Sequence, residues 1–180
     1  EKHNACVAAR KWVSQQTSRE EVVVLRKALK ENHFSWCNWY LVRRMKKNEL
    51  IRYAVFSAKV VLGIYEDKHP GDDRPRKAIF SAEAYLKNPS IKTKNAAAAA
   101  AHAAYAAADS ADSADSADAA YAADAAYAAA AAAAADAAYA ADAAYAAAAA
   151  AAADAADAAD AADAAKNKII KYGIKLIRKP

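Results

Sequence analysis

Between Asn95 and Lys166 the chain is Ala interrupted only by Asp, Tyr, three Ser and His102. From Asp109 to Asp163 every Asp and Tyr falls in one triplet frame. On an α-helix each residue advances the side chain by about 100°, so each triplet turns the marked position back by about 60°. With Tyr121 at the origin of the wheel, Asp124, Tyr127, Asp136 and Tyr139 all fall on one side. The same frame reaches the opposite side at Ala130, Ala133, Ala148 and Ala151, and there the Asp and Tyr are withheld. From 118 to 165 this predicts a helix with a dry Ala face and an Asp/Tyr outer face. Residues 121–138 and 139–156 are identical, so the two units are one observation. Codon slippage alone makes triplet tracts, but it does not place the exceptions on one side.

Between Asp109 and Asp118 that rule fails. Asp112 and Asp115 fall on the side kept dry further on, as does Tyr105. Ser110, Ser113 and Ser116 add side chains that compete for backbone hydrogen bonds. A bend or phase reset is expected there, followed by one helix over 118–165, about 72 Å long if unbroken. Such a rod needs a partner for its Ala face: the head, an earlier helix or a second copy of the chain.

Charge is segregated along the chain. Residues 1–95 carry 20 Lys/Arg against 10 Asp/Glu, residues 96–165 carry 11 Asp and no base, and residues 166–180 carry six bases. This divides the chain into a basic helical head (1–95), an Ala/Asp/Tyr low-complexity helical segment (96–165) and a basic amphipathic tail (166–180). Head and tail should attract the Asp side of the middle segment. A basic head also admits nucleic-acid binding, though its own carboxylates are interspersed. The Asp rod is too dilute to imitate DNA: about one charge per 7–8 Å of helix, against about one per 1.7 Å in the duplex. Three Gly and four Pro argue against an all-β fold, and two Cys make no disulfide framework. No membrane span and no signal peptide are evident, and a cytoplasmic location is the default expectation.

The head reads as successive helices. Asn4–Gln16 turns Cys6, Ala9, Trp12 and Val13 to one side. Ser18 with Glu21 fits a capping box before Val22–Lys30. His33–Met45 carries Phe34, Trp36, Trp39 and Tyr40 over more than one face, which serves either a core or an exposed partner site. Arg43, Arg44, Lys46 and Lys47 follow, where cations suit a helix C-terminus. Asn48 is placed to cap Glu49–Tyr65, whose Leu50, Ile51, Ala54, Val55, Ala58, Val61, Leu62 and Tyr65 form the clearest apolar stripe. His69-Pro70-Gly71-Asp72-Asp73 is a turn by composition. Asp73 is expected to cap a helix ending near Leu86, with Ile79, Ala82 and Tyr85 inward, and Ser90 to cap the next. In the tail, Ile169, Ile170, Ile174, Leu176 and Ile177 alternate with bases, with Gly173 between them. Such a terminus docks on its own domain or, as the alternative, touches an anionic membrane.

No reaction chemistry stands out. His3 with Cys6, and His33 with Cys37, have helical metal-pair spacing, but no second pair completes four ligands. Both cysteines read as small core residues. The Asp triplets lack the Gly and Glu of a calcium loop. No catalytic residue, metal site or cofactor is expected.

The segment His69-Pro-Gly-Asp-Asp-Arg-Pro-Arg-Lys-Ala-Ile79, with Ala82 and Tyr85 after it and the Leu50–Tyr65 stripe before it, resembles the immunity-protein-5-like family of bacteria and phages. That pattern is a helix, then P-x-D-x-R-P-R-x-A-I, a helix ending near an aromatic, and Ala-rich helices. His102 within Ala-His-Ala-Ala is similar to the family's continuation, and Phe80 departs from the acidic residue expected at its position. The resemblance implies a non-enzymatic protein that binds and neutralises a protein toxin or defence factor. Asp72, Asp73, Arg74 and Arg76, together with Trp36 and Trp39, are the candidate contact residues. The sequence reading is therefore an all-α protein, a helical-bundle head with a long Ala-rich helix. A nucleic-acid-binding accessory protein, and a structural rod or homo-oligomer assembled through the Ala face, are the alternatives.

Overall fold

The computed structural model describes residues 5–113, 117–134, 139–153 and 158–178. The protein is all-α, about 85% helix, with nine helices and no strand among the described residues. They are α1 (Val7–Ser14), α2 (Glu21–Lys30), α3 (Phe34–Arg44), α4 (Lys47–Lys68), α5 (Arg74–Lys87), α6 (Ile91–Ser113), α7 (Ala117–Ala134), α8 (Tyr139–Ala153) and α9 (Ala158–Ile177).

Two helices carry the packing. α4 buries Leu50, Ile51, Ala54, Val55, Ala58, Val61 and Tyr65 of the stripe expected of it; Leu62 is only half-buried, and Tyr53, outside that stripe, is buried as well. α7 lies against α4 and is flanked by α5, α6 and α8. From Ala122 to Ala134 every Ala of α7 is buried, while Asp124 and Tyr127 between them are half-buried. Of the expected dry face, Ala130 and Ala133 in α7 and Ala148 in α8 are buried, and the side chain of Ala151 lies outside those described. The opposite side is covered as well, which the two-faced wheel did not anticipate. Eight consecutive Ala from Ala128 leave no polar side, and a helix apolar all round belongs in an interior.

The single long helix over 118–165 is accordingly replaced by separate helices that lie against one another, α7 on α8 and α8 on α9. Local preference argued for a rod, since Ala is the strongest helix former. Burial decides otherwise: a straight rod leaves the Ala run in water, whereas folding back seats it on α4. The bend or phase reset expected between Asp109 and Asp118 takes in residues 114–116, which lie outside the described residues, and α6 and α7 on either side of them pack against each other. The Ala face that a self-assembling rod needs is occupied, in α7, by the chain's own α4 and α5. Each buried methyl contributes little, about 0.8 kcal/mol. Ala, however, loses no side-chain rotamer entropy on burial, and methyl-lined helices approach at the short end of the usual range of about 8–10 Å.

The tail docks as expected. Ile169, Ile170, Ile174 and Leu176 of α9 are buried in the same hydrophobic cluster as α2, α3 and α4, and Phe56 stacks on Tyr172 with ring centroids 4.1 Å apart. Gly173 is where α9 comes closest: a Cβ there would sit 2.8 Å from Leu41 Cδ1 and 2.9 Å from Tyr53 Cε2.

Several local expectations are corrected. Ser18 does not cap α2; its Oγ accepts from Glu20 N–H at 3.1 Å, one residue before the helix. α4 starts at Lys47 rather than after Asn48, and Glu49 takes the Lys46 N–H at 2.7 Å. Of the α1 face, only Trp12 packs substantially: Cys6 is exposed, its Sγ accepting from Ala9 N–H, and Val13 is 42% exposed. Cys37 is buried as expected, and burial pushes its thiol up to about 12. Ser90 does cap α6, its Oγ accepting from Thr93 N–H at 3.2 Å while Thr93 Oγ1 accepts from Ser90 N–H at 3.0 Å.

Candidate functional site

The loop from α4 to α5 is built around one carboxylate. His69 N–H closes α4 on the Tyr65 carbonyl at 2.8 Å, and Gly71 at φ +99° makes the reversal that side-chain-bearing residues resist. Asp72 then accepts from Arg74 Nε at 2.9 Å, from Arg74 Nη2 at 2.6 Å, from Arg74 N–H at 3.1 Å and from the Tyr65 hydroxyl at 2.6 Å. Asp72, not Asp73, therefore supplies the side-chain bond at the start of α5. The Arg74 guanidinium holds the Asp72 carboxyl well below the usual carboxylate range, and burial, then the hydrogen bond to Asp72, pushes the Tyr65 hydroxyl up to about 12. Pro75 is buried in the first turn of α5, where its missing N–H costs nothing.

The other two members of the motif face outward with partners: Asp73 pairs with Lys77 at 2.9 Å, and Arg76 forks onto Glu66 of α4. Tyr65 and Glu66 of α4, with Asp72, Arg74 and Arg76, clasp α4 to α5, while the Asp73–Lys77 pair is local to the start of α5. The clasp explains why the motif reads so clearly in the sequence, and it is first a device for holding two helices.

The clasp has a pH signature. Asp72 is held ionised in the folded chain, so its contribution is complete above the ordinary carboxylate pKa of about 4 and is lost as pH falls below it. Asp72→Asn is expected to lower stability by about 1–2 kcal/mol at neutral pH. The gap from the parent chain should narrow on acidification. Urea denaturation of both chains across that range tests this, and a gap constant with pH counts against the clasp.

Trp36 and Trp39 stand one turn apart on α3. Trp36 is half-buried, stacked on His33 with centroids 3.8 Å apart and tilted against Trp12 at 6.0 Å. Trp12 Nε1 donates to Glu31 at 2.7 Å. Trp39, also half-buried, carries the Arg43 guanidinium 4.1 Å above its ring, and Arg43 Nη1 donates to the Trp39 carbonyl at 3.1 Å. The aromatics of α3 thus divide: Phe34 enters the core, meeting Tyr145 edge-on at 5.8 Å, while the two Trp form a ledge at the surface. α3 packs on α2, α8 and α9, and α5 on α4, α6 and α7. The structure therefore brings Asp72, Asp73, Arg74 and Arg76 together, and Trp36 near Trp39, but sets the two groups on different parts of the bundle.

A further group escaped the sequence reading. Arg26 and Lys30 of α2 meet Lys171 of α9 across a cleft of about 430 Å³. Their spacing of four on α2 places both bases on one face, but nothing in the sequence indicated which helix would lie opposite.

An all-α bundle with a charge-clasped helical hairpin and Ala-rich later helices is the architecture implied by the motif. The family model described as "Imm-5 like putative immunity protein" matches residues 40–174, three quarters of the chain. The chain belongs to that family, and an immunity role follows for it in that general sense. No curated protein and no solved structure matches it. Among the described residues no helix is long and apolar enough to cross a membrane.

Proposed function

We propose that the chain neutralises a protein toxin or defence factor by binding it, without catalysis. Membership of the immunity family over residues 40–174 is the observation that carries this reading. The α3 ledge supports it. Trp and Arg are the residue types that dominate the energetics of protein interfaces, and Trp36, Trp39 and Arg43 are held in fixed orientation by stacking. Asp72 and Arg74 keep the α4–α5 loop in shape, leaving Asp73 and Arg76 at its exposed rim.

Purified chain used as bait in a host lysate should retain one stoichiometric protein. Co-expression with the chain should then relieve the growth defect that this protein causes alone. Trp36→Ala with Trp39→Ala should weaken the complex by about 2 kcal/mol or more. Nucleic acid as the retained partner, released by salt, overturns the reading, and so does a captured protein whose toxicity is unrelieved.

A further inference from the structure

The cleft between α2 and α9 is floored by the buried Leu29 and Ile174. Its rim carries three cations, Arg26, Lys30 and Lys171, all exposed. Among the described residues none of the three has a carboxylate within ion-pair reach, although Lys27, Arg44, Lys59, Arg74, Arg76, Lys77 and Lys166 do. Helix dipoles account for only one of them. Lys30 lies in the last turn of α2, where a cation is expected, but Arg26 is a turn earlier and Lys171 stands well inside α9.

We infer that this cleft is a docking site for an acidic polypeptide segment of the partner, an apolar side chain flanked by carboxylates. The inference rests on the neutralising function proposed above and gives the partner's chemistry. The apolar floor takes the anchor, and the three cations meet carboxylates on either side of it. Each base is carried on a long side chain, which can pack its stem on apolar surface while the head stays charged.

The lining also excludes a polyanion. Asp163 stands in the same cleft, paired with Lys166 at 3.2 Å, and the sequence before it on α9 adds one more acid, Asp160, and no base. A phosphate backbone gains affinity from each base that neutralises a phosphate and loses it to an acid in the same cleft, whereas a protein segment of mixed charge can match bases and Asp163 in turn.

The test uses the full chain and a short fluorescent peptide with one Leu flanked by Glu a helical turn away on each side. Its Gln analogue, a single-stranded oligonucleotide and AMP serve as competing probes. The acidic peptide should bind in low salt, and the Gln analogue should not. Arg26→Glu with Lys30→Glu and Lys171→Glu should weaken binding about tenfold or more, the sum expected of three exposed ion pairs. The Gln substitutions at the same three positions should weaken it less, and thermal melting should be unchanged in both variants. Equal binding of the Gln analogue, tighter binding of oligonucleotide or AMP, or indifference to charge reversal each overturns the proposal. The neutralisation assay separates this from the broader reading. A charge-reversed chain that still relieves toxicity in full overturns the cleft alone. A parent chain that binds the peptide in the expected pattern yet relieves no toxicity keeps the cleft and overturns neutralisation.

Discussion

Ala130→Asp is expected to lower stability by about 3–5 kcal/mol, the cost of a buried charge without a partner. Against the roughly 5–15 kcal/mol that holds a domain together, that is a large fraction of the margin. The substitution is chemically modest, because the same tract carries Asp at Asp118, Asp124 and Asp142. Position 130 differs only in where it points: its methyl is fully buried in α7, among α4, α5, α6 and α8. Ala99→Asp on the exposed side of α6 is the control, with a cost no larger than the helix-propensity difference of about 0.7 kcal/mol. Urea denaturation of the two variants reads the contrast. Equal losses would mean that α7 is not the central helix.

Gly173→Val is expected to cost about 3 kcal/mol, the upper end of what overpacking a tight core usually costs. A Cβ at this position already overlaps Leu41 Cδ1 and Tyr53 Cε2, with Met45 Cε at 3.3 Å. Tyr53 cannot swing aside cheaply. It is wholly buried, its hydroxyl donates to Asn38 Oδ1 at 3.1 Å, and its carbonyl accepts from Ser57 Oγ at 2.9 Å. Gly173→Ala meets the same wall but recovers up to about 1 kcal/mol of helix propensity, so its loss should be smaller. Gly63 in α4 has open space around it, and Gly63→Ala should be neutral or stabilising by up to about 1 kcal/mol. Thermal melts combined with limited proteolysis of α9 test the set. A stabilised Gly173→Ala would show that α9 stands off from α3 and α4.

Much of this architecture was legible. The α4 stripe, the inward Ile79 and Ala82 of α5, the Ser90 cap and the docking Ile residues of α9 follow from periodicity and turn chemistry. The α4–α5 motif led to the family, which the match over 40–174 shows. What the sequence concealed was long-range. Ala gives a helix no preferred side, so the wheel located the Asp and Tyr and could not tell that α7 would be enclosed on the other side too. Nor could composition distinguish Trp12, which packs, from Val13 beside it, which does not; that depends on His33 and Trp36 arriving from α3. The α2–α9 cleft joins residues separated by most of the chain, and only the fold places them side by side.

The repeat itself has a consequence for how the chain knows where its parts go. The unit that opens at Tyr121 and the identical unit that opens at Tyr139 occupy unlike seats. The first is enclosed by α4, α5 and α6. The second packs on α3, α4, α7 and α9, and there Asp142 and Tyr145 are exposed where the matching Asp124 and Tyr127 are half-buried, the Tyr145 hydroxyl reaching the Ser35 carbonyl at 3.4 Å. One text serves in both surroundings, so the address is not written in the segments. It is written in the walls around them and in the order of threading, and the unvarying copies are interchangeable parts in a frame made by the rest of the chain.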